Sequence, residues 1–138
     1  MPLKIDTAEK GLRMVFKYYQ ELALRYLWSL GGEGANSREV WKQVNNGLAR
    51  EQGRVSISRA SIIKFLNEMV GEGVLKFTET MGKGGLCKIY SAMYGESSFK
   101  QCIVRHLMEK LLSCFQKETI MILKEMGWAP TRAGYEMQ

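Results

Sequence analysis

A chain of 138 residues has room for one domain and an added assembly element, and is too short for two full domains. Its 46% hydrophobic and 25% charged residues suit a folded globular protein and exclude general disorder. The formal charge of +6 fits a polyanionic partner, and no run is long and apolar enough to span a bilayer.

The N-terminus lacks a basic start followed by an apolar run. Three cysteines, Cys87, Cys102 and Cys114, lack framework spacing and suit free thiols in a reducing compartment. A cytoplasmic protein without a membrane partner is expected. The basic excess is uneven: residues 37–93 carry nine Lys/Arg against five Asp/Glu, while the segments on either side are nearly balanced.

Asp6 followed by Glu9 resembles a capping box. Beyond it Leu12, Val15, Phe16, Tyr19, Leu22, Ala23, Tyr26, Leu27 and Leu30 keep helical spacing, predicting one long first helix that ends at Gly31-Gly32. Residues 1–16 are then an N-terminal extension of that helix, free to pack on a partner subunit. Asn36 and Ser37 are cap candidates for a second helix with Val40, Trp41, Val44 and Leu48 on one face. Gly47 or Gly53 marks its end.

Ser58 is placed to cap a third helix, in which Ile62, Leu66 and Met69, widened by Ile63 and Val70, form the apolar stripe. Ala60, Ser61, Lys64, Asn67 and Glu68 fall on the opposite, polar face. Val74–Met81 and Leu86–Tyr94 read as two strands joined by a tight turn at Gly82-Lys-Gly-Gly85. From Glu96 or Ser97 a further amphipathic stretch carries Phe99, Ile103, Val104, Leu107, Met108, Leu111, Leu112 and Phe115, and resumes with Ile120, Ile122, Leu123 and Met126. That arc is too wide for a helix resting on one small domain. The fold class expected is mainly α with a small β-hairpin: a winged helix-turn-helix over 17–94, one or two dimerisation helices over 95–127, and a loose tail over 128–138.

Several pieces together resemble the penicillinase-repressor and methicillin-resistance-repressor family of winged-helix regulators. They are Glu21-Leu-Ala-Leu-Arg-Tyr-Leu-Trp28, Ser37-Arg-Glu-Val-Trp41, Ser58-x-x-Ser61-Ile62 with Leu66 and Gly73-Val-Leu75, and Lys88-Ile-Tyr-Ser91 before a long helix. The resemblance runs from about Glu21 to Phe115 and implies a homodimeric repressor of a dyad operator. The chain departs from the family in a longer link between the second and third helices, in Ile63 and Glu68 where members often carry basic side chains, and in a longer first helix.

The expected DNA-binding residues are Arg54, Ser58, Arg59, Ala60, Ser61, Lys64, Asn67, Lys83 and Lys88. The two serines and the third helix's N-terminus would hold phosphate, Lys64 or Asn67 would reach base edges, and Lys83 and Lys88, with Lys76, would meet flanking backbone or minor groove. Glu68 opposes this and is expected to pair with Lys64. For each residue alone, a solvated face explains its chemistry equally well. Dimer contacts are expected from Phe99, Ile103, Leu107, Leu111, Phe115 and Ile122.

No acid pair or phosphate-binding glycine loop marks an enzyme, and His106 is the single histidine. No cofactor is implied. Cys102 and His106 lie four apart and could share a soft metal, yet a core cysteine beside a partly exposed histidine is the commoner outcome. A metal, small molecule or protein would be the inducer. The competing class is a winged helix used only for protein interaction, favoured by Asn67, Glu68 and Glu72 on the third helix.

Overall fold

The computed structural model describes residues 4–53 and 55–128. They fall into two units, divided between Ser97 and Ser98. The first helix does not start at Asp6. Asp6 Oδ1 instead accepts from the Ala8 N–H at 2.9 Å, closing a local turn. Gly11 then takes a left-handed φ of +64°, which no helix continues through. The run before it is too short to repay helix nucleation. A single 3-10 turn, Gly11–Met14, follows, and α1 spans Tyr18–Leu30. Gln20 Oε1 accepts from the Lys17 backbone N–H at 2.9 Å, the half of a capping box that a lysine cap leaves possible. Leu12 and Phe16 are buried in their own chain rather than left free, and the Phe16 ring meets Phe65 edge-on at 6.0 Å.

α2 spans Ser37–Gln52. Its capping box is complete: Asn36 Oδ1 accepts from the Glu39 N–H at 2.9 Å, and Glu39 Oε1 from the Asn36 N–H at 3.0 Å. α3 spans Arg59–Gly71, and Ser58 Oγ accepts from the Ser61 N–H at 3.1 Å, the cap read from sequence. Ala23, Leu24 and Leu27 of α1, Val40, Val44 and Leu48 of α2, and Ile62, Phe65, Leu66 and Met69 of α3 are the buried core. Ile63 is only half-buried, so the α3 stripe is turned toward Phe65 relative to the expected one.

β1, Leu75–Gly82, and β2, Gly85–Ala92, pair antiparallel with Leu75 opposite Ala92 and Gly82 opposite Gly85. A two-stranded hairpin alone is marginally stable, so its root needs anchors. Ala35 supplies one, donating to the Tyr90 carbonyl at 2.9 Å and accepting from the Tyr90 N–H at 2.8 Å. Gly34 makes that approach possible: its φ is +72°, and a Cβ there would fall on the Tyr90 carbonyl. Leu75 and Tyr90 are buried, whereas β1 is exposed from Lys76 onward. Three helices with this hairpin make a winged helix, as the sequence predicts.

α4, Glu96–Cys114, begins in the first unit, where Arg25 joins Glu96 at 3.0 Å and Glu21 at 2.9 Å. The Glu21 bond, then Glu96, raises the Arg25 pKa, fixing a charge that was already permanent. In the second unit α4 continues, and α5 spans Gln116–Glu125, so the terminal stretch is two helices. Among the described residues no helix is long and apolar enough to cross a membrane.

Candidate nucleic-acid interface

α3 is held from behind by a strap. Ile57, just before the Ser58 cap, donates its N–H to Asn45 Oδ1 at 2.8 Å, and its carbonyl accepts from Asn45 Nδ2 at 3.2 Å and Trp41 Nε1 at 2.9 Å. Two α2 side chains thereby fix the backbone that enters α3. The cap itself is shared: Ser58 Oγ and Ser61 Oγ lie 2.9 Å apart. One hydroxyl hydrogen sits between them, so the pair keeps one O–H to offer outward.

The outward side of α3 divides in two. Ala60, Lys64, Asn67 and Glu68 are exposed, as the polar face predicts. Arg59 and Ile63, together with Asn67 where the two sides meet, line a cleft whose opposite wall is the hairpin, with Glu79, Lys83 and Lys88. Arg38 enters the same cleft from the first turn of α2. Arg59 Nη2 donates to Ser37 Oγ at 3.4 Å, linking the two helix starts. The cleft is thus lined by four cations and one carboxylate.

Strand alternation sorts the hairpin lysines. Lys88 shares a face with Tyr90 and Phe77, and its Nζ lies 4.5 Å from the Phe77 ring centre. Lys76 lies on the other face, away from the cleft, and Lys83 sits in the turn. Tyr90 ties the hairpin to α3, donating its hydroxyl to Asn67 Oδ1 at 2.7 Å. Burial, with a smaller contribution from Cys87, pushes the Tyr90 phenol pKa up and keeps that hydroxyl protonated. The bond occupies one side of the Asn67 amide and leaves its NH2 to reach outward.

The remaining expectations fare differently. Arg54 lies outside the described residues, as does the tail from 129 onward. Among the described residues Lys64 and Glu68 form no ion pair. Phe99 and Ile103, expected at a dimer interface, are buried and offer no free surface. Leu107 is half-buried, while Leu111, Phe115 and Ile122 are exposed. Cys102 is half-buried beside an exposed His106, and among the described residues no group of three or more His, Cys, Asp or Glu could hold a metal ion. Sequence reading missed Arg38, Asn45 and Tyr90. Arg38 and Arg59 had a signal: a cation in the first turn of a helix opposes the helix dipole, so its use must lie elsewhere.

The fold has counterparts among solved structures. The Aeropyrum pernix ORC1 protein, determined in complex with DNA, is similar over 62% of this chain at 17% identity, with a TM-score of 0.51. This chain spans 23% of that protein. A PadR family transcription regulator from Clostridium difficile is similar over 72% of this chain and 99% of its own, at 15% identity and a TM-score of 0.44. A PadR-like transcription factor from Bacteroides fragilis is similar over 67% and 88%, at 14% identity and a TM-score of 0.44. No family model matches the chain and no curated protein does, so the penicillinase-repressor resemblance stands on its quoted residues.

Proposed function

We propose that the protein is a cytoplasmic, sequence-specific double-stranded DNA-binding regulator of transcription, acting as a homodimeric repressor at a dyad operator. The convergence of Arg38, Arg59, Lys83 and Lys88 around the outward side of α3 carries this reading. Arg38 and Arg59 sit at two helix N-termini, where free N–H groups and cations together suit a phosphate. Lys64 and the Asn67 NH2 then address base edges in the major groove. The DNA in the Aeropyrum complex agrees with such a use of the fold.

The dimer reading rests on the second unit, where Leu111, Phe115, Met121, Ile122 and Met126 are all exposed. So many exposed apolar side chains fit a second copy, which would set two α3 helices on successive major grooves. Release would follow any inducer that changes the spacing of the two helices.

Selection from randomised duplexes, followed by titration of the winning site at two salt concentrations, tests the proposal. A dyad-symmetric site and a steep loss of affinity with salt are expected. No enrichment, with only weak sequence-independent binding, would favour the protein-interaction reading instead.

A further inference from the structure

Met81 and Leu86 face each other across the hairpin as the last pair before its turn, and are 78% and 70% exposed. They share the α3-facing side of the hairpin with Lys88 and Tyr90. Met81 lies four residues beyond Phe77, which at about 3.3 Å per residue puts the pair roughly 13 Å past the hairpin's anchored root. Two large apolar side chains held so far from any core add little to folding. Their neighbours are Lys83 in the turn on one side and, on the other, the Glu79–Lys88 cross-strand pair, the next inward on that face, two cations against one carboxylate.

That combination selects among surfaces. Phosphates satisfy the lysines and give Met81 and Leu86 nothing; base planes give them an apolar contact. A two-stranded ribbon, with strands about 4.8 Å apart plus side chains, overfills a minor groove about 6 Å wide. Side chains alone enter, and they do so where a step unstacks and the duplex kinks. We propose that Met81 and Leu86 form an apolar wedge that enters the minor groove beside the α3 site and kinks DNA at a flexible pyrimidine–purine step, with Lys83 and Lys88 on the flanking phosphates. The inference rests on the DNA-binding reading above and adds to it a way of choosing sequence at positions no side chain reads by hydrogen bonds.

The test compares the full chain with its M81S/L86S and K83A variants on a selected duplex, measuring affinity, salt dependence and end-to-end distance by energy transfer between dyes. The wild type should bend the duplex within the range of about 20–90° seen for such wedges. M81S/L86S should bind about tenfold more weakly, with an unchanged salt slope and a straight duplex. K83A should lower the salt slope and keep the bend. Bending by M81S/L86S equal to the wild type overturns the wedge and leaves DNA binding intact. No duplex binding by the wild type overturns both. Normal binding and bending by M81S/L86S with a sedimentation change from dimer to monomer would assign the pair to a protein contact and overturn the wedge. Both side chains are exposed, and circular dichroism checks that the variants stay folded.

Discussion

The strap between α2 and the start of α3 gives the sharpest expectation, because the two polar atoms of Ile57 are served unequally. Its carbonyl has two donors, Asn45 Nδ2 and Trp41 Nε1, while its N–H has one acceptor, Asn45 Oδ1. Asn45→Ala removes a net hydrogen bond worth about 1 kcal/mol and orphans a half-buried N–H, at about 1–3 kcal/mol. The sum is about 2–4 kcal/mol, a sizeable part of an ordinary domain's stability of about 5–15 kcal/mol. Trp41→Phe leaves the carbonyl with Asn45 and should cost about 1 kcal/mol. Urea unfolding measures both: with a slope of about 2 kcal/mol per molar, N45A should move the midpoint down by about 1–2 M and W41F by about 0.5 M. DNA affinity should fall with N45A, since the Ser58 end of α3 loses its fixed backing. A loss below about 0.5 kcal/mol for N45A, or a larger loss for W41F, would refute the argument.

Further outcomes follow from single contacts. Ser58→Ala deletes the α3 cap and should cost about 1 kcal/mol in the same unfolding assay. Gly34→Ala should destabilise by well over the roughly 1–2 kcal/mol of a left-handed alanine, because its Cβ would collide with the Tyr90 carbonyl; Gly11→Ala, with open space and φ +64°, should cost only that backbone amount. Tyr90 has a folded pKa above its unfolded value of about 10, so its contribution is fully present below about pH 10 and lost as pH rises through the folded pKa. Tyr90→Phe should flatten that alkaline loss in pH-dependent unfolding. Lys64→Ala should relax discrimination at one operator position by about 1–3 kcal/mol, read by binding to single-base variants of the selected site.

The sequence was most legible where one residue's chemistry had one use. Ser58 before an apolar-periodic run is a cap, and the Gly82–Gly85 stretch between two alternating runs is a hairpin turn; both stand as expected. The first helix was misread because apolar residues three and four apart suit a 3-10 turn, a corner and then a helix as well as one long helix. Leu12 and Phe16 keep their burial while Gly11 breaks the backbone. Asn45 gave no signal, since a mid-helix asparagine looks like any solvated polar residue until the chain twelve residues on returns to it. Tyr90 was visible only as part of a strand. Its hydrogen bond to Asn67 depends on hairpin parity, which pattern alone leaves free by one residue.

That last contact matters for how the two halves of the interface act together. The hairpin is exposed along nearly all of β1, so its tip has little to hold it, while its root is fixed by Ala35, Leu75 and Tyr90. Any load at the tip therefore bears on the root, and the root includes the hydroxyl that orients Asn67. On the proposed reading, a DNA contact at Lys83 and a base contact at Asn67 are then linked through the hairpin root. Removing the Tyr90 hydroxyl should make them independent: in a double-mutant cycle, the coupling between Lys83→Ala and Asn67→Ala for operator binding should be measurable in the wild type and fall toward zero in Tyr90→Phe. Equal coupling in both backgrounds would show that the Tyr90 hydroxyl carries none of it.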